Sequence, residues 1–299
     1  MQRRHLLLVP AVLVARAGPA VAAPALEVVA STSILGDMVR NVGGDRVEVT
    51  TLVGPDGDAH AFEPRPADAK ALAGADVVVV NGLGLEGWLD RLLAASGYRG
   101  PVVTASQAVR TRSMFEDGRP TPDPHAWQDL GNGALYARAI AAGLAAADPA
   151  GKAAYDWNTR AYVTQMLSLD ARLHGEIEKV PAGKRKVVTS HDAFGYFGQA
   201  YGVEFLATQG TAEDAEPSAR DLRLLIDQIR REGIKVVFLE NALSPRLAQQ
   251  VAAETGAHIG GTLHADALSG PDGPAATYLG MVEHNARLLI AAMLAAGES

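Results

Sequence analysis

Four residues in this chain combine ligand chemistry with a similar placement. His191 follows the β-branched run Lys186-Val187-Val188-Thr189-Ser190 and precedes Phe194, Phe197 and Tyr201 at helical spacing, closed by Gly202. It therefore sits where a strand gives way to a helix, the edge of an open α/β sheet at which ligands bind. His60, in Asp58-Ala59-His60-Ala61-Phe62, follows another strand-like run. His125, in Asp123-Pro124-His125-Ala126-Trp127, follows a stretch without periodicity, and Asp266, in Leu263-His264-Ala265-Asp266-Ala267, follows a last strand. Imidazole and carboxylate suit divalent first-row metals. Three neutral imidazoles and one carboxylate leave a divalent ion with a net charge of about +1, which tetrahedral Zn²⁺ accepts.

No two of the four lie one helical turn apart, so spacing alone says little. Placement says more: all four fall in loops or at strand ends, two in each half of the chain. If the halves face each other, the four meet in a surface cleft between them. Other polar residues read more plainly. His174, His258 and His284 read as packing or surface residues, and His264 as a second-layer partner on the same side of a strand as Asp266. Glu240 reads as a residue that orients an imidazole or caps a turn. Glu63 and Arg65 read as a clasp, and Trp88 and Trp127 as packing.

The elements that must position these residues alternate. Strands are expected over 26–32, 47–53, 76–81 and 102–104, with helices over 33–43 (capped by Ser33), 66–72 and 86–95. The four consecutive valines Val77-Val78-Val79-Val80 mark a strand buried on both faces. The stretch 107–124 shows no periodicity and carries Glu116, Asp117 and Asp123; it is expected to be mobile without metal or partner, to supply no ligand, and to bear on access to the cleft because it runs into His125. Helix resumes over 127–146, and a long helix over about 148–179 reads as a rigid rod. Strands over 187–190, 204–207, 236–240 and 258–263 then alternate with helices, the clearest over 218–232, before a closing helix over 277–296. This alternation predicts an α/β protein of two lobes, each a parallel sheet flanked by helices, joined by one long helix. The expected units are a signal peptide 1–22, an N-terminal lobe 23–146, a linking helix 147–180 and a C-terminal lobe 181–299.

The chain has 299 residues, 48% of them hydrophobic, enough for two cores, and a net charge of −7, which argues against nucleic acid as a partner. It has no cysteine, so neither a disulfide framework nor a thiolate metal site is available. Arg3 and Arg4, the apolar residues 6–14 and Ala20-Val21-Ala22 read as a cleavable secretory signal. With no cysteine to carry a lipid, the expectation is a soluble, monomeric protein of a Gram-negative periplasm.

Several blocks in order resemble the periplasmic metal-binding proteins of ABC transporters for zinc and manganese, the cluster A-I family. They are His60-Ala61-Phe62-Glu63-Pro64-Arg65-Pro66-Ala67-Asp68, Asn81-Gly82-Leu83-Gly84-Leu85-Glu86 with Trp88, Asp123-Pro124-His125-Ala126-Trp127 and Ser190-His191-Asp192-Ala193-Phe194-Gly195-Tyr196-Phe197. Glu216-Pro217-Ser218 with Asp221-Leu222, Glu254-Thr255-Gly256, and Asp266-Ala267-Leu268-Ser269 with Thr277-Tyr278 complete the set. The resemblance implies one metal held between two lobes by His60, His125, His191 and Asp266. It also implies delivery to the membrane permease of an ABC transporter, with a periplasmic metallochaperone as a further candidate partner. Manganese and iron members often carry Glu where this chain has His191, so Zn²⁺ is the expected ion and Mn²⁺ the alternative. Stretch 107–124 lacks the histidines that many zinc members carry there.

Two other functions fit the sequence less well. A secreted zinc hydrolase usually keeps three protein ligands and an open position; here a fourth ligand closes the site, and only Asp192 offers itself as a base. A sugar- or amino-acid-binding protein of similar plan wants aromatic platforms, and aromatic residues are 5% of the chain. The reading is therefore of a carrier and not an enzyme.

Overall fold

The structure, a computed structural model, describes residues 25–116, 119–209 and 219–295. The signal segment 1–22, Asp117 and the block Glu216, Pro217 and Ser218 lie outside the described residues.

The first lobe is built on strands β1 (Leu26–Thr32), β2 (Val47–Val53), β3 (Val77–Val80) and β4 (Val102–Thr104). They pair in parallel in the order β2-β1-β3-β4. The valines of β3 are all buried, as a parallel strand covered on both faces requires. Helices α1 (Ser33–Gly43), α2 (Pro66–Ala73) and α3 (Leu89–Ser96) return the chain between strands. The second lobe has β7 (Lys186–His191), β8 (Glu204–Gln209), β9 (Val236–Glu240) and β10 (His258–Leu263), with α6 (Gly195–Tyr201), α7 (Ala219–Glu232) and α8 (Arg246–Thr255) between them. Its order is β8-β7-β9-β10, again all parallel. Numbered within each sheet, both lobes read second, first, third, fourth. Each sheet thus reverses direction beside its first strand, where open α/β sheets bind ligands.

Helix α4 (Leu130–Ala147) packs on α1 and β3 of the first lobe, and between the lobes runs α5 (Lys152–Ile177), a helix of 26 residues, about 39 Å long at 1.5 Å per residue. Its buried residues Tyr155, Thr159, Tyr162, Val163, Met166, Leu169, Leu173 and Ile177 share one face. The closing helix α9 (Tyr278–Ala295) packs on α5 and α1. One apolar core runs through both lobes, from Val28 to Met293, and a smaller one around Val188, Ile229 and Val251 fills the far face of the second sheet.

Local readings differ from expectation in three places. Thr32, not Ser33, caps α1: its hydroxyl accepts from the Leu35 amide at 3.3 Å. The Ser33 hydroxyl instead accepts from the Leu268 amide at 3.0 Å, a contact between the lobes. Arg65 pairs with Asp68 inside a capping box at the start of α2, not with Glu63. And 107–124 is not unstructured: β5 (Ser113–Glu116) and β6 (Arg119–Pro122) form an antiparallel hairpin with Met114 buried.

Candidate metal centre

His60 lies in the loop after β2. Its amide donates to Asp58 Oδ1 at 2.7 Å, as does that of Ala61 at 3.2 Å, folding the loop into an Asx turn. Trp88, buried against Phe62, donates its indole N–H to the Ala59 carbonyl at 2.9 Å. The indole fixes the loop as well as packing beneath it.

His125 follows the hairpin and is fully buried. Asp123 Oδ1 accepts from its amide at 2.9 Å and lies 2.8 Å from its Nδ1. Although burial works against the charge, the bonds from His125 and the Arg112 guanidinium hold the Asp123 carboxyl below the usual range. An ionised carboxylate only accepts, so the proton sits on His125 Nδ1 and Nε2 presents a lone pair. Asn81 sets the turn: its Nδ2 donates to the Pro124 carbonyl at 2.9 Å and its Oδ1 accepts from Tyr136 at 2.6 Å. Glu86 is not on a helix; its carboxylate accepts from the Asn81 and Gly82 amides and the Ser31 hydroxyl.

His191 is the last residue of β7. Glu240, at the end of the neighbouring β9, accepts from the Ser190 and His191 amides at 2.8 and 3.0 Å. Its other oxygen lies 2.6 Å from His191 Nδ1. Nε2 of His191 is 3.1 Å from Asp266 Oδ2. Neither ring contact has hydrogen-bond angles, so among the described residues both nitrogens are buried without a hydrogen-bond partner. Burial pulls the pKa of His191 down, but Glu240 and Asp266 outweigh it and hold it well above its ordinary value. For His60 burial wins over the pull of Asp266, and its pKa is lowered.

Asp266 follows β10 and is buried. Residues beside His125 clamp its segment: Trp127 Nε1 and Gln128 Nε2 both donate to the Ala265 carbonyl at 2.9 Å. Leu268 is tied to Ser33 and, through its carbonyl, to the Asp56 amide at 2.9 Å. Burial raises the carboxyl pKa of Asp266, but the three histidines, His191 first, hold it far below the carboxylate range.

The four side chains thus converge, with one ligand atom from each within 4.8 Å of the others. Nε2 of His60 and of His125 are 3.2 Å apart, and both lie 3.6 Å from Asp266 oxygens. A tetrahedron with metal–nitrogen bonds near 2.05 Å has edges of about 3.3 Å, so these separations leave room for one ion. Around them, among the described residues, stand Asp123, Glu240 and Asp266 against the guanidinium of Arg112. With neutral imidazoles that is a formal −2, which a divalent ion cancels. The expected open cleft is corrected: His125, His191 and Asp266 are buried, and only His60 reaches the surface.

Residues 28–292 match the family described as ZnuA, zinc-uptake complex component A, periplasmic. The chain belongs to this family, the periplasmic metal-binding components of ABC transporters. It is similar to the manganese-binding lipoprotein MntA of Halalkalibacterium halodurans, 33% identical over 87% of this chain and 86% of the relative. It is also similar to the iron-binding protein YfeA of Yersinia pestis, 32% identical over 92% and 88%. The periplasmic zinc-binding protein TroA of Treponema pallidum superposes with a TM-score of 0.84 at 29% identity, over 89% of this chain and 98% of that one. The fold of two parallel sheets and a long intervening helix is the one shared with that structure.

In this member His264 does not join the four. β10 ends at Leu263, so the alternation that would put residues 264 and 266 on one side no longer holds. The His264 ring turns to His284, 5.5 Å away between centroids, and its backbone pairs with Asn285. His174 packs on Tyr201. Asp123 and Arg112 were missed as positioning groups. For Asp123 the signal was present, an acid two residues before the histidine; for Arg112 there was none.

Proposed function

We propose that this protein is an extracytoplasmic solute-binding protein that captures one divalent transition-metal ion at His60, His125, His191 and Asp266 and delivers it to an ABC permease. Zinc is the proposed cargo. The observation that carries this reading is the convergence of three imidazoles and a buried carboxylate, one ligand atom from each within 4.8 Å of the others. Nitrogen-rich sites favour Zn²⁺ over Mn²⁺. The functional units are an N-terminal lobe 23–146, a linking helix 147–180 and a C-terminal lobe 181–299, exported by the segment 1–22 to the periplasm.

One observation favours a second reading, manganese. Both oxygens of Asp266 face the histidines, Oδ1 toward His125 and Oδ2 toward His60 and His191. A bidentate carboxylate raises the coordination number, which suits a harder ion, and relatives named for manganese and iron share the family. A hydrolase is disfavoured, because four protein ligands leave no position for the attacking water.

The test is titration of metal-free protein with Zn²⁺, Mn²⁺ and Fe²⁺ against a competing chelator, beside esterase and peptidase assays. The reading requires one ion per chain, zinc tightest, and no turnover. Chelator-sensitive turnover would overturn it.

A further inference from the structure

Arg112 leads into the hairpin of the first lobe, yet its side chain lies against the second. Its guanidinium pairs with Asp123, the carboxylate that holds His125 Nδ1. The same group lies over the Tyr196 ring, 5.7 Å from its centroid. The Arg112 amide donates to the Tyr196 hydroxyl at 3.1 Å. Its carbonyl accepts from the Asp123 amide at 3.0 Å. At Gly195, the first residue of α6, a Cβ would fall on the guanidinium itself. Gly195 and Tyr196 stand just beyond His191. One side chain therefore joins the segment of a first-lobe ligand to that of a second-lobe ligand.

We propose that Arg112 is a positioning residue that latches the two lobes across the metal centre and slows release of the ion. This rests on the metal reading above. Asp123 is fully buried, while Arg112 is part-exposed at the edge of the site. The pair therefore fixes the His125 ring from outside, where a carboxylate alone would leave a buried charge uncompensated. Removing the guanidinium loosens both the orientation of His125 and the hold on Gly195 and Tyr196. The latch is made with the four side chains already at their converged positions, so it opposes their withdrawal from a bound ion. The latch therefore acts on release.

The test is stopped-flow transfer of Zn²⁺ from loaded protein to excess chelator, with the capture rate measured separately on metal-free protein. Arg112→Gln is expected to speed release by about 10-fold, the lower end of the usual effect of losing an outer partner of a ligating histidine, because it acts through Asp123. Capture should change by less than about threefold, since related complexes differ mainly in dissociation. Gly195→Ala keeps the charge but displaces the guanidinium, and is expected to match Arg112→Gln. Arg112→Lys restores the charge on Asp123 and should recover part of the slow release. Co²⁺ bound to Arg112→Gln should show a shifted visible spectrum as the His125 ring turns. Zinc release at the parent rate from both Arg112→Gln and Gly195→Ala overturns the latch, as does Arg112→Lys releasing as fast as Arg112→Gln with an unshifted Co²⁺ spectrum. A parent that binds no Zn²⁺ sinks the metal reading, and the latch with it.

Discussion

His60 and His125 meet nitrogen to nitrogen, their Nε2 atoms 3.2 Å apart and their rings tilted by 49°. Two N–H groups cannot point at each other across that gap, so at least one nitrogen offers a lone pair. At His125 the contact of Nδ1 with the Asp123 carboxylate favours the tautomer whose lone pair is on Nε2.

The pH dependence of binding follows from the two shifted histidines. The ligating form is neutral imidazole. His191, its pKa raised by Glu240 and Asp266 against the effect of burial, carries a proton at neutral pH in the metal-free protein. His60, lowered by burial, does not. Affinity should therefore fall as pH falls, beginning above the usual histidine value of about 6.5. At pH 7 uptake of one Zn²⁺ should release about one proton. Calorimetry in buffers of different ionisation enthalpy measures this directly. Uptake at pH 7 without proton release would contradict the protonated state of His191.

Two ligands should separate affinity from stability. His60→Ala should lower zinc affinity by more than the roughly 10–100-fold typical of an outer partner, while changing metal-free stability by less than about 0.5 kcal/mol, as for surface sites. His125→Ala should lose affinity similarly and also cost about 1–3 kcal/mol, because Asp123 is left buried with fewer partners. Urea denaturation of the metal-free variants checks the difference. Equal stabilities would mean that the Asp123–His125 bond contributes nothing to the fold.

Much of this was legible in the sequence where one strong signal acted alone. The valines of β3 could only be a buried strand, and the alternation of strands and helices was enough for two parallel sheets. His191 was legible because the β-branched run and the helical spacing after it met at one residue. Gly202 closed α6 as expected, with a φ of 70° that favours glycine. Where two residues competed, the wrong one was chosen: Thr32 and Ser33 cap equally well, and only packing of the second lobe calls Ser33 away. The hairpin escaped notice because Pro120 and Pro122 hide a short antiparallel ladder. Its tie to the centre, through Arg112, is a tertiary contact with no local trace. The depth of the site was also illegible, since it depends on how the Asp266 segment is clamped by Trp127 and Gln128.

That clamp has a mechanical support that can be tested. Gly133 on α4 faces the Tyr278 hydroxyl so closely that a Cβ would clash with it. Tyr278 in turn donates to the Trp127 carbonyl at 2.6 Å. Gly133→Ala should destabilise the protein by about 1–3 kcal/mol through overpacking and weaken zinc binding through the Trp127–Ala265 contact. Calorimetric unfolding and the competition titration measure the two effects. A neutral Gly133→Ala would show that Tyr278 moves aside freely.

The most direct measurement is anomalous diffraction at the zinc absorption edge from crystals of the loaded protein. The account predicts one ion per chain, about 2.0–2.2 Å from Nε2 of His60, His125 and His191 and from the Asp266 carboxylate. An ion bound elsewhere, or one of the four turned away with His264 or another group in its place, would contradict it.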